Sequence, residues 1–217
     1  MDKIKVIHTI EETGIIAIVR GTKAEYIVDT ARALYEGGIR VIEVTCNTPG
    51  YLKVIEKLAE ALGDQMWIGA GTVLNPIMAE LVISAGARFA LAPDLNPEVV
   101  QILHEKKKLM IPGVSTPSEM TQAHRLGIDL LKLFPAGALG AQYLKEIRGP
   151  LHDAQIIPVG GITLGNVKEF AQNGAFAVGI GGELVDKTAI ASGRYDDLTR
   201  KASAFMAAFH EGRRERS

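Results

Sequence analysis

Short apolar, β-branched runs recur every twenty-odd residues along the chain. Each is followed by a turn and then by a stretch whose apolar positions repeat with a helical period. The runs predict strands over 14–20, 40–46, 67–73, 89–94, 109–114, 130–135, 156–161 and 177–182. Helices are predicted between them, over 24–36, 50–62, 76–85, 97–106 and 117–126, with an extra helix over 1–13 and a final one over 195–213. Pro76, Pro97 and Pro117 open three of these helices, a position where the missing N–H costs nothing. Eight strand–helix units predict an α/β protein, a (β/α)8 TIM barrel whose floor is closed by the 1–13 helix. A doubly wound open sheet also alternates strand and helix; the count of eight and the Gly-Gly turns after the last two strands favour the barrel. No linker or low-complexity tract divides the chain, so 1–217 reads as a single domain, with a polar end over 213–217 expected to fray.

Strands covered on both faces should be apolar throughout, and three of these are not. In Val41-Ile42-Glu43-Val44-Thr45, a period of two puts Glu43 on the face of Val41 and Thr45. In Leu130-Leu131-Lys132-Leu133-Phe134-Pro135, Lys132 shares a face with Leu130 and Phe134, and Ile16-Ala17-Ile18-Val19-Arg20 ends on a cation. A buried charge without a partner costs several kcal/mol, so these residues need each other or a ligand. One reading is a structural Glu43–Lys132 ion pair. The other is chemical: a desolvated lysine amine is a nucleophile for a ketone, and a carboxylate beside it can move protons as the adduct forms and breaks.

Pro158-Val159-Gly160-Gly161-Ile162 follows the seventh predicted strand and Gly179-Ile180-Gly181-Gly182 ends the eighth. Either pair alone would mean only a tight turn; both on consecutive strands favour a phosphate site built from backbone N–H groups. Gly69-Ala70-Gly71-Thr72 thins the third strand and offers the Thr72 hydroxyl. The formal net charge of -1 gives no field for nucleic acid or an anionic membrane, and no apolar run is long enough for a membrane span. One cysteine, Cys46, excludes an internal disulfide and a Cys-based zinc site, and it is expected to be passive. These features point to a cytoplasmic enzyme or binding protein.

Five stretches, in order and at barrel spacing, resemble one family. They are Gly38-Ile39-Arg40-Val41-Ile42-Glu43-Val44-Thr45, Ile68-Gly69-Ala70-Gly71-Thr72-Val73-Leu74, Pro112-Gly113-Val114-Ser115-Thr116-Pro117, Leu131-Lys132-Leu133-Phe134-Pro135-Ala136 and Pro158-Val159-Gly160-Gly161-Ile162. Over 14–185 the chain is similar to the bifunctional 2-keto-3-deoxy-6-phosphogluconate (KDPG) and 4-hydroxy-2-oxoglutarate (KHG) aldolases. The resemblance implies a class I lyase in which Lys132 forms an imine with the substrate C2 ketone and Glu43 relays protons. Thr72 would hold the pyruvyl carboxylate, Pro93 and Phe134 would wall the pocket, and Gly160, Gly161, Gly181 and Gly182 would receive the phosphate. It implies a keto-acid or sugar-acid phosphate substrate, no metal, no organic cofactor and a homotrimer. No pair among the five histidines has metal-ligand spacing with a carboxylate, which also disfavours a metal-dependent aldolase.

Three positions depart from the commonest pattern of that family. Asn47 stands where some members carry a carboxylate-clamping Arg, and Arg20 could supply the missing cation. Val159 replaces a frequent Thr and, with Asn47-Thr48-Pro49, brings the chain closer to the branch acting on 2-keto-3-deoxy-6-phosphogalactonate. Gly182, followed by Glu183, stands where a phosphate-binding Ser is frequent, which keeps a non-phosphorylated keto acid open as substrate. The rival functions are a phosphate-binding barrel isomerase or synthase, which would not need Lys132, and a non-catalytic sugar-phosphate-binding barrel, which would do better without Glu43 and Lys132.

Overall fold

The computed structural model describes residues 2–216. Its elements follow the predicted rhythm: α1 (Asp2–Thr13), β1 (Ile15–Val19), α2 (Ile27–Glu36), β2 (Val41–Thr45), α3 (Tyr51–Leu62), β3 (Trp67–Gly71), α4 (Pro76–Ser84), β4 (Phe89–Leu91), α5 (Pro97–Glu105) and β5 (Leu109–Ile111). The second half runs β6 (Gly113–Val114), α6 (Pro117–Arg125), β7 (Leu130–Leu133), α7 (Ala136–Leu139), α8 (Ala141–Arg148), β8 (Gln155–Pro158), α9 (Val167–Gln172), β9 (Val178–Ile180), α10 (Lys187–Ala191) and α11 (Tyr195–Arg214). All strand pairs are parallel, in a curled arrangement of two sheets ordered β5-β4-β3-β2-β1-β9 and β6-β7-β8. A single parallel bridge, Val159 to Gly179, links the end of β8 to β9. Among the described residues no helix is long and apolar enough to cross a membrane.

Three differences from the expected elements have physical causes. The fifth strand is split into β5 and β6, because Pro112 between them has no N–H for the ladder. Most strands end short of the predicted bounds; the residues just past them, such as Pro93-Asp94 and Gly181-Gly182, leave the ladder to form the mouth of the curl. The described part of the 213–217 end is also more regular than a frayed tail. Helix α11 continues to Arg214, and Arg213 donates to the Glu11 and Phe176 carbonyls, each at 2.6 Å, tying it to α1 and to the loop before β9. Ser217 lies outside the described residues, as does Met1 at the start of the expected first helix.

Alternation along the strands makes two cores. Ile15, Ala17, Val19, Ile42 and Val44 pack outward against the helices, while Ile16, Ile18, Val41, Leu109, Leu130 and Ile157 pack with one another inside the curl. Val6 and Ile10 of α1 join the inner cluster, and Trp67 Nε1 donates to Thr9 Oγ1 at 3.0 Å, so the first helix is fastened beneath it. This inner layer is the apolar floor on which the charged residues of β2 and β7 stand.

Candidate active site

Glu43 lies in β2 between Ile18 of β1 and Gly69 of β3, and Lys132 lies in β7 between Gly113 and Ile157. Both are nearly sealed from solvent, at 1% and 5% exposure. Among the described residues no ion pair within 4.0 Å joins them, and Glu43 Oε2 has no hydrogen-bond partner. That separates them from the simple structural ion pair the sequence left open. Desolvation pushes the Glu43 carboxyl above the ordinary carboxylate range, and the charges of Lys132 and Arg20 only partly oppose it. The Lys132 ammonium nitrogen sits 5.2 Å from the centroid of the Phe134 ring, within cation–π range.

The space for the Glu43 carboxylate is made by Gly71. A Cβ built there would collide with Glu43 Oε1, whereas Gly69, two residues earlier, clears the Phe89 ring. Gly71→Ala is therefore expected to displace the carboxylate, lowering both turnover and thermal stability, the latter by about 1–3 kcal/mol as for an overpacked core. Calorimetry together with a pyruvate-release assay checks this, and an alanine variant with unaltered kinetics would mean that the Glu43 position is not critical.

A cavity of about 630 Å³ opens above the pair. It brings together the residues expected to act on or hold the substrate: Lys132, Glu43, Arg20, Thr72, Pro93, Phe134 and the four glycines Gly160, Gly161, Gly181 and Gly182. Thr72 adopts φ 59°, a conformation that a β-branched residue rarely takes and that surrounding structure must enforce. Phe134 is fixed from behind. The Ser115 hydroxyl donates to its carbonyl at 2.7 Å, and Glu119 accepts from the Ser115 and Thr116 N–H groups, each at 2.8 Å, as part of the α6 capping box.

The first glycine turn is held by its carbonyls. Gly137 N–H donates to Gly160 O at 2.7 Å, and Asn166 Nδ2 to Gly161 O at 2.9 Å. Gly160 and Gly161 take φ 89° and 73°, and a Cβ on Gly161 would come within 2.9 Å of Gly137 Cα, so both conformation and space require glycine. The N–H groups of Gly161, Ile162, Gly182 and Glu183 donate to no acceptor among the described residues. Successive unspent donors in this setting form a concavity suited to an anion.

Asn47 is exposed and does not line the cavity, whereas Arg20 does. The Thr48 side chain accepts from Gly21 N–H at 2.9 Å, so the Asn47-Thr48-Pro49 turn anchors the loop that presents Arg20. Burial and the neighbouring Glu43 charge push the Cys46 thiol up to about 12, which disfavours its thiolate. Sequence reading missed Thr163 and Lys187, which also line the cavity. Lys187 opens a short helix behind Asp186, a pattern that in sequence is indistinguishable from any exposed helix start.

Known proteins place this geometry. The family model for KDPG and KHG aldolases matches residues 6–201. The 2-dehydro-3-deoxy-phosphogluconate aldolase of Dickeya dadantii is 36% identical over 195 residues, covering 89% of this chain and 91% of that protein. The 2-dehydro-3-deoxy-6-phosphogalactonate aldolase of Escherichia coli is 29% identical over 198 residues, 91% of this chain and 95% of its own. Among solved structures, KDPG aldolase from Legionella pneumophila, with pyruvate captured as a covalent carbinolamine, superposes with a TM-score of 0.86 at 32% identity, covering 92% of this chain and 97% of the other. Extended over nearly the whole length and joined to a buried lysine and carboxylate in one cavity, these matches show that the chain belongs to the KDPG and KHG aldolase family.

Proposed function

We propose that this protein is a class I aldolase that cleaves a 2-keto-3-deoxy-6-phospho sugar acid, and 4-hydroxy-2-oxoglutarate, to pyruvate and an aldehyde. The observation that carries the proposal is the buried, mutually unbonded Lys132 and Glu43 beneath one cavity with two glycine turns at its rim. The Lys132 amine attacks the C2 ketone, and loss of water from the carbinolamine gives an imine. Glu43 takes the C4 hydroxyl proton; the C3–C4 bond breaks and its electrons flow into the protonated imine, leaving a pyruvate enamine as the aldehyde departs. Glu43 then returns a proton to C3, and hydrolysis of the imine frees pyruvate and Lys132. A carboxyl raised by burial suits a group that must both accept and donate a proton. Thr72 holds the pyruvyl carboxylate, Pro93 and Phe134 flank the reacting carbons, and the N–H groups around Gly160-Gly161 and Gly181-Gly182 take the phosphate, with Arg20 supplying a cation.

The same reading treats the two sheets as arcs of one closed (β/α)8 barrel forming a single domain over the whole chain. Chain continuity across Pro112 and the Val159–Gly179 bridge support closure at both seams. It also includes a homotrimer, which analytical ultracentrifugation measures directly. The sugar epimer turns on Val159. Its side chain lines the cavity and offers the sugar chain no hydroxyl, and the exposed Asn47 stays outside the lining, two features in keeping with the galactonate-type branch.

Borohydride reduction in the presence of pyruvate tests the chemistry. A mass increase on the peptide containing Lys132, absent in Lys132→Ala, is expected. No labelling under conditions that trap a known lysine aldolase would defeat the imine reading and leave a phosphate-binding barrel without this chemistry.

A further inference from the structure

The rim of the cavity carries a charge arrangement that the aldolase reading does not itself require. Lys187, the first residue of α10, lines the cavity beside Gly181, Gly182 and Glu183. Its neighbouring carboxylate is already committed, since Asp186 accepts from Lys201 at 3.1 Å and from the N–H groups of Thr188 and Ala189 at 2.9 and 3.1 Å. Among the described residues Lys187 makes no ion pair or hydrogen bond of its own. Its side chain reaches back across the loop after β1. A Cβ on Gly21, whose φ is +74°, would come within 2.9 Å of Lys187 Nζ, so glycine there leaves room for the ammonium beside the residue that follows Arg20.

Arg20 and Lys187, neither of which makes an ion pair within 4.0 Å among the described residues, therefore border the same opening as the unspent N–H groups of Gly161, Ile162, Gly182 and Glu183. Two carboxylates line the cavity, Glu43 at its buried end, where it feels the Arg20 charge, and Glu183 at the rim; among the described residues no ion pair within 4.0 Å joins Glu183 to either cation. With Lys187 present the rim charges of Arg20, Lys187 and Glu183 sum to one positive; without Lys187 they cancel. A dianion at this spot meets the same N–H groups with or without that lysine, but a net positive rim only with it, and a neutral hydroxyl at the end of the substrate gains little from that charge.

We propose that Lys187 is the residue that selects substrates with a phosphate at the end remote from the ketone, by outweighing Glu183 at the rim. This rests on the aldolase reading above and adds to it the side chain that sets discrimination by charge. Lys187 is exposed at the rim whereas Lys132 is buried beneath the cavity, so its effect belongs in KM for the phosphorylated acid and not in the bond-breaking step.

The test compares kcat/KM for a 2-keto-3-deoxy-6-phospho sugar acid and for the same acid without phosphate, in the wild type, Lys187→Ala, Lys187→Arg and the double variant Lys187→Ala/Glu183→Gln. The preference for the phosphorylated acid is expected to fall about tenfold or more in Lys187→Ala, mainly through KM, as for loss of a hydrogen bond to a charged group. Lys187→Arg should keep most of it, and adding Glu183→Gln should restore part of what Lys187→Ala loses. Pyruvate trapping on Lys132 in each variant shows that the fold and the imine site survive. An unchanged preference in Lys187→Ala, or equal losses on both substrates, overturns the proposal while the aldolase reading stands. A wild type that releases pyruvate from neither acid and is not trapped overturns the aldolase reading, and this proposal with it.

Discussion

Lys132→Met is expected to lower pyruvate release by about 10⁴-fold or more while leaving the melting temperature close to that of the wild type, because it removes the nucleophile and preserves the shape of the side chain. The two halves of that result come from the same geometry. Lys132 is 5% exposed and near the Phe134 ring, and its side-chain nitrogen has no hydrogen-bond partner among the described residues. An ammonium in such a place is costly to desolvate, and a thioether of similar length fills the same volume without that cost. Glu43 then loses an attractive charge, which moves its carboxyl further toward the neutral form, and a neutral acid tolerates the burial. Calorimetry and steady-state assays on the same preparation decide the matter. A large loss of stability with substantial residual turnover would mean that Lys132 is a structural cation after all.

Most of the fold is legible in the sequence because the strands are covered on both faces and so appear as uninterrupted apolar runs, separated by helices with capped ends. Strand positions follow from that, and so do the faces of Glu43 and Lys132, since a period of two leaves no choice once one face is assigned. What is not legible depends on contacts distant in sequence. The break at Pro112 shows only when the ladder is drawn, and the short helices α7, α9 and α10 are too brief for their periodicity to rise above that of a turn. The tail departs from expectation for the same reason. Arg213 looks like one more solvated cation until α1 and the loop before β9 bring two carbonyls to it. At the site, the four rim glycines and Arg20 are identifiable from their place at strand ends. Lys187 is not, because its proximity to Gly21 spans most of the chain, and Gly71 reads as thinning a wall when its role is to leave room for one carboxylate.

Glu43→Gln carries the second large effect, a fall in kcat of about 10²- to 10⁴-fold with substrate binding and pyruvate trapping retained, the range expected when a general acid–base group is lost. The amide matches the carboxylate in size, so the notch beside Gly71 still accommodates it, but it can neither take the C4 hydroxyl proton nor return one to the enamine. The same variant has a stability signature whose sign follows from burial. Below the ordinary carboxylate range Glu43 is protonated in native and unfolded chains alike, and its ionisation contributes nothing to stability. As pH rises through the ordinary value toward the raised native one, the unfolded chain ionises first, and the wild type progressively loses stability. The substituted amide does not titrate, so the melting temperature of the variant relative to the wild type should climb over that window and level off above it. Paired melting curves from acidic to neutral pH measure the trend. A difference that is flat with pH would remove the buried, reluctantly ionised carboxylate from the mechanism, and undiminished kcat would remove Glu43 from proton transfer altogether. A gain in stability joined to a loss of turnover would show that the protein keeps a destabilising group in its interior because the reaction needs it there.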